Sequence, residues 1–300
     1  MFSQQINGII RLSLPLIFIF NTYPIIFSTL KGQFFCALMM GAYICYCHWT
    51  IIQNFPKSLL YSPTGDHKEL LDNLIKECEI NPENITLRYA YTNESIALAN
   101  GKTIVVDPVV WHNFGTDSEA IKVTDVFEKQ IQPILSPSQK KRIAGIHTAL
   151  NPAAQRFIFK HELGHVCGNF SQRHLVNVFI IGTLAAYSGI TVAMILVPTN
   201  GFTGTILGMT TGNFFDILLT YVSNFASKLP EEKRVDRFAA HYSSREDIEA
   251  AAKFFEEHQE ILDTNKEPGN FLSFIPSAIR TGHPNGKSRA AYLKELAAQK

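Results

Sequence analysis

Asn151-Pro152-Ala153-Ala154-Gln155-Arg156-Phe157-Ile158-Phe159-Lys160-His161-Glu162-Leu163-Gly164-His165 decides the reading of the chain. Asn151 is placed as an N-cap and Pro152 at the first helical position, where a missing N–H costs little. Gly168-Asn169 marks the stop, and Phe157, Ile158 and Phe159 predict a helix that is buried. On that helix His161 and His165 lie one turn apart on one face, where two imidazoles can reach one metal ion. Glu162 is rotated off that face, beside the metal, where a carboxylate can take a proton from attacking water. Two histidines and a base make an incomplete zinc site, so a third ligand must come from elsewhere.

Composition narrows the search. Of 300 residues 46% are hydrophobic and only 18% charged, and long uncharged runs account for the imbalance. Leu12 to Leu30 is one such run and Phe34 to Ile52 a second, each long enough to cross a bilayer core of about 30 Å. Leu175 to Val197 is a third. Gly201 to Val222 is a fourth, interrupted by Asn213 and Asp216. A net charge of +1 gives no reason to expect nucleic acid, and Lys140-Lys141-Arg142 reads as a solvated loop. Five cysteines without paired spacing point to a reducing compartment for the globular part.

Between the runs the chain is polar. Leu70, Leu71, Leu74 and Ile75 predict an amphipathic helix over Lys68 to Glu79. Thr86 to Tyr91, Ile96 to Ala99 and Thr103 to Val106, with turns at Asn93-Glu94 and Asn100-Gly101, predict a small antiparallel sheet. Ala97, Leu98 and Ala99 are its candidate edge, able to hold an extended substrate by strand addition. Residues Asp117 to Ile146 read as a loop region.

Leu229-Pro230-Glu231-Glu232-Lys233-Arg234-Val235-Asp236 starts another helix, with proline in the first turn and acids near its positive end. Glu232 as third ligand would leave Asp236, one turn on, to orient a ligand histidine through its free ring nitrogen. Glu231 is the neighbouring alternative. The two halves of such a site must face the same side of a membrane, so an even number of crossings must separate His165 from Glu232.

With these residues in view, the chain resembles the membrane-embedded gluzincin peptidases that include the HtpX heat-shock protease and the CAAX prenyl proteases. The resemblance rests on His161-Glu162-Leu163-Gly164-His165, on Glu232 and Asp236 with Phe238 and Ala239 behind them, on His283-Pro284 followed by Arg289, and on Ala97-Leu98-Ala99-Asn100-Gly101. The HtpX branch fits best, with two spans before the zinc helix and two between it and the third ligand. Ile96 stands where that family often has Asn, and Gly282 where Thr is usual. The resemblance implies that His161, His165 and Glu232 hold one zinc ion per chain, that Glu162 is the catalytic base, and that His283 and Arg289 polarise the scissile carbonyl.

The expectation is an α+β zincin-like metallopeptidase domain, mostly helical with a small antiparallel sheet, plus about four transmembrane helices in two hairpins. Its divisions are 1–55 and 174–226 for the hairpins, and 56–173 and 227–300 for the two halves of the catalytic domain. The resemblance further implies a membrane-bound zinc metalloendopeptidase acting on membrane or misfolded proteins in the stress response. It would sit in the inner or plasma membrane, with its active site facing the cytoplasm. The rival classes are a catalytically silent scaffold with a structural metal and a transporter whose pentad is accidental.

Overall fold

The computed structural model describes residues 36–43, 46, 61–92, 96–111, 117–168, 170–200, 206–208, 210–212, 214–215, 218–219, 228–264 and 284–300. The expected span 12–30, part of 34–52, Asn213, Asp216 and His283 lie outside them. The chain forms two compact units, Met1–Gln53 with Arg173–Ser223, and Asn54–Gln172 with Asn224–Lys300.

The second unit holds α1 (Gly65–Glu77), β1 (Thr86–Tyr89), β2 (Ala97–Asn100), β3 (Thr103–Val106), α2 (Ser118–Val126), α3 (Pro137–Ala149) and α4 (Pro152–Cys167). A long helix, α5 (Phe170–Asn200), belongs mostly to the first unit, and α6 (Leu229–His241), α7 (Arg245–Thr264) and α8 (Gly286–Ala297) complete the second. α1 buries Leu71, Leu74 and Ile75 as its periodicity predicts, although Leu70 is turned to the surface.

The sheet is mixed, which corrects the antiparallel expectation. β2 and β3 form the hairpin anticipated at Asn100-Gly101, where Gly101 takes the positive φ of 58° that the turn requires. β1 instead pairs in parallel with β3, giving the order β1-β3-β2. The reason is local. Thr92 is tied by its N–H and its hydroxyl to the Asp107 carboxylate at the end of β3, so the chain leaving β1 crosses that end and enters β2 on the far side.

The region 117–146 is also not a loop. Asp117 caps α2, and Ser136 forms a capping box with Gln139 ahead of Pro137 in α3. A π-helical turn (Phe127–Ile131) and a 3-10 turn (Gln132–Ile134) connect the two, and Lys140, Lys141 and Arg142 lie on α3.

α4 is central. Apolar residues from the sheet and from α1, α2 and α3 enclose Ala154, Ile158, Phe159 and Leu163, while Phe157 packs against Ala239, Ile248, Ala251 and Leu293 of α6, α7 and α8. The buried face of this helix therefore runs all the way round. Even Lys160 is buried. Its Nζ donates to the Tyr242 carbonyl at 2.7 Å and pairs with Glu77 at 2.7 Å, joining α4 to α1 and to the end of α6.

In the first unit α5 contains Leu175–Val192, the one stretch among the described residues long and apolar enough to cross a membrane. Val176, Ile180 and Leu184, spaced by four, are exposed along it, as is Ile195. Thr183, Ser188 and Thr191 each donate to the carbonyl four residues back. Helical residues 206–208 and 210–212 approach α5 so closely that a Cβ on Gly189 would lie 2.9 Å from the Gly208 carbonyl oxygen.

Asp117 is the polar anchor of the second unit. Its carboxylate accepts from the Thr64 N–H (2.9 Å) and hydroxyl (3.0 Å), the Glu119 N–H (2.9 Å) and the Tyr89 hydroxyl (3.3 Å), linking α1, β1 and α2. Burial pushes this carboxyl up, but the bonds from Thr64, Glu119 and Ala120 outweigh it and hold it below the usual carboxylate range. A depressed folded-state pKa contributes stability above the unfolded-state value and loses it as the pH falls below about 4. Asp117→Ala should therefore cost about 3 kcal/mol by stranding buried donors. Thermal unfolding followed by circular dichroism should show a lower midpoint at pH 7, and a shallower fall on acidification than in the parent.

Candidate metal centre

Three side chains from two helices converge. His161 and His165 project from α4 with their Nε2 atoms 3.2 Å apart, and Glu232, in the first turn of α6, places Oε2 3.4 Å from His161 Nε2 and Oε1 3.4 Å from His165 Nε2. All three residues are buried. Their candidate ligand atoms lie within 4.8 Å of one another, so one ion could be held by all three. Two imidazole nitrogens and one carboxylate oxygen suit zinc in a site that leaves a coordination position open.

Close helix packing makes this convergence possible. Gly164 sits between the ligand histidines, and a Cβ there would come within 2.8 Å of Val235 Cγ1 and 3.0 Å of Phe238 Cδ1. α4 and α6 therefore meet at a glycine, with Glu232 one turn before the contact.

Asp236 is fully buried and takes His161 Nδ1 at 2.9 Å, which leaves Nε2 directed at Glu232. Arg289 reaches in from α8. It donates to Asp236 Oδ1 (2.6 Å, from Nη2) and Oδ2 (3.0 Å, from Nε), and its guanidinium lies 3.9 Å from the centre of the Phe255 ring. Its Nη2 also lies 2.8 Å from His161 Nδ1. This places Arg289 behind His161, locked to Asp236. His283 is outside the described residues.

Charge follows from these contacts. Burial and Arg289 pull the His161 imidazole down, but its bonds to Asp236 and Glu232 prevail and carry it up to about 9. Burial pushes Asp236 up, yet Arg289 and His161 hold it below the carboxylate range. The pocket thus favours a cation. Glu162, coupled electrostatically to His161, His165, Glu232 and Arg289, is raised chiefly by burial.

Glu231 is committed elsewhere. It holds Arg234 through two hydrogen bonds, and the Arg234 guanidinium lies against Gly168 at the end of α4. The tie made by Lys160 and the Phe255 platform under Arg289 were not anticipated from sequence. A lysine inside an apolar helix was the available signal for the first, and nothing local marks the second.

The family model for peptidase family M48 matches residues 137–297, a span that includes α4, Glu232, Asp236 and Arg289. The chain belongs to peptidase family M48. No curated protein and no solved structure matches it. The M48 assignment makes the chain a protease of metallopeptidase type, acting on polypeptides, and M48 metallopeptidases are typically zinc-dependent. The matched span begins after β3 and does not include Ala97, Leu98 or Ala99.

Three substitutions test this arrangement. Glu231→Ala should retain bound zinc while Glu232→Ala loses it, measured by elemental analysis of the purified proteins. Gly164→Ala should drive α4 and α6 apart at Val235 and lower both zinc content and melting temperature, with overpacking costing about 1 to 3 kcal/mol.

Proposed function

We propose that this M48 chain is a membrane-bound zinc metalloendopeptidase of the HtpX type, with His161, His165 and Glu232 as its metal ligands. The convergence of these three donors, with Asp236 behind His161, is the observation that carries the reading. A zinc ion held there would supply Lewis acidity at a peptide carbonyl. The remaining steps fall to the protein. Glu162 accepts a proton from the attacking water and returns it to the leaving nitrogen. Asp236, locked by Arg289, holds the His161 ring in one orientation throughout. Arg289 acts here as a positioning residue, and His283 retains the carbonyl-polarising role that the family resemblance implies.

β2 supports the substrate side of this reading. It pairs with β3 alone among the described strands, and Ala97, Leu98 and Ala99 lie on it. An extended polypeptide could add along its free edge.

Membrane attachment through hairpins 1–55 and 174–226, with the catalytic domain divided between 56–173 and 227–300, is supported by the first unit. Exposed Val176, Ile180 and Leu184 suit lipid, as do hydroxyls bonded within their own helix. Glycine-mediated packing between α5 and residues 206–208 and 210–212 is the kind membrane helices use. If α5 crosses, the chain must cross back before Glu232, because His165 and Glu232 meet in one pocket. That return falls to the region around 206–219. The cytoplasmic orientation and a role in membrane-protein quality control and stress response follow from the family resemblance.

Glu162→Gln is the decisive variant. It should keep its zinc, remain in the membrane fraction after an alkaline carbonate wash, and cleave an unfolded model protein at least about 100-fold more slowly than the parent. Undiminished cleavage would remove Glu162 as the base, and release by carbonate would remove the membrane assignment. Chelation should abolish cleavage by the parent, and added zinc should restore it.

A further inference from the structure

The β2–β3 ladder alternates between pairs that exchange hydrogen bonds and pairs that do not. Asn100 stands opposite Thr103 across the turn, and Leu98 opposite Val105. Continued by one pair, the register sets Ile96 opposite Asp107, where the Asp107 N–H donates to the Ile96 carbonyl at 3.2 Å. The bonded pairs are therefore 96/107, 98/105 and 100/103. Ala97 and Ala99 fall between them, so their N–H and C=O groups point to the open edge.

A slip of one residue would exchange these outward groups for those of Leu98. Four residues of ladder give little resistance to such a slip. The resistance sits at the Asp107 end. The Ile96 carbonyl takes a second donor, Trp111 Nε1, at 3.0 Å. The Asp107 carboxylate is fully buried and accepts from the Thr92 N–H (2.8 Å), the Thr92 hydroxyl (3.1 Å) and the Val109 N–H (3.0 Å). The segments entering β2 and leaving β3 are thus knotted at one side chain.

We propose that Asp107 is a positioning residue for substrate, holding β2 in the single register in which Ala97 and Ala99 offer their backbone groups to an extended polypeptide. The inference rests on the reading of β2 as the substrate strand. It assigns to Asp107 the alignment of a bound chain along the sheet edge, and hence the choice of which peptide bond is presented for cleavage.

Binding, rather than turnover, provides the test. The parent for comparison is full-length, zinc-loaded Glu162→Gln protein in detergent, and the probe is a fluorescent extended peptide followed by anisotropy. Asp107→Asn turns an amide N–H toward donors that need an acceptor, and Trp111→Phe removes one bond to Ile96 while keeping a ring against Phe159. Either substitution, added to the parent, should weaken peptide binding by about tenfold while zinc content stays unchanged.

A backbone N-methylated version of the peptide supplies the readout that a merely structural role would not move. N-methylation should weaken binding to the parent, and weaken it less in Asp107→Asn, because the register that presents Ala97 and Ala99 is already lost. Undiminished binding in both variants, or an equal N-methylation penalty in parent and Asp107→Asn, would overturn the assignment. Loss of zinc together with binding would make Asp107 structural. No peptide binding by the parent would remove the substrate-strand reading itself.

Discussion

The close approach of α4 and α6 at Gly164 is the contact on which the rest of the site depends. His161 and His165 lie far from Glu232 in sequence, and the absence of a side chain at Gly164 makes room for Val235 and Phe238 against α4. Once the helices meet there, helical periodicity does the remaining placement. Glu232 and Asp236 are one turn apart, as are His161 and His165. A single interhelical contact therefore aligns two donors with one, and Asp236 with a ring nitrogen. A shift of one residue in either helix would rotate these groups away from each other.

Burial of so much charge in one place requires compensation, because an isolated buried carboxylate costs far more than a domain can supply. Asp236 finds it in Arg289 and His161, and Arg289 in Asp236 and the Phe255 ring. These partners come from α4, α6, α7 and α8, so the network is complete only when the C-terminal helix is docked. Glu232 is different. It faces two imidazole nitrogens and lies 3.9 Å from Arg289 Nη1. Asp236 is tied to Arg289 through both of its oxygens, whereas Glu232 stands among donors that one ion could share.

The site was legible in sequence to the extent that it obeys local periodicity. The pentad, its N-cap and proline, and the one-turn spacing of Glu232 and Asp236 all follow from 3.6 residues per turn, and the structure brings them together. Arg289 was legible only through family resemblance, and its partner could not be read from spacing, since Asp236 and Phe255 lie on other helices. The sheet shows the other limit. The β2–β3 hairpin is encoded by Asn100-Gly101, a local signal, whereas the parallel pairing of β1 depends on Thr92 finding Asp107, with β2 between them in sequence. The helices over 118–149 were missed for a different reason. Proline and polar residues there read as loop, although Asp117 and the Ser136-to-Gln139 capping box were legible start signals.

The two levels of order have different tolerances, and this bears on how such a site can handle varied polypeptides. α4 is packed on all sides, so the metal-facing groups have almost no freedom. β2, by contrast, is four residues long and among the described strands is bonded on one side only. Backbone groups on a free edge recognise any extended chain regardless of its side chains, so the edge supplies little sequence preference of its own. What it must supply is register, because a peptide displaced by one residue would present a different bond to a fixed catalytic base. A rigid helix therefore needs a pinned strand opposite it. The buried Asp107 knot provides that pin without placing any side chain in the path of the substrate.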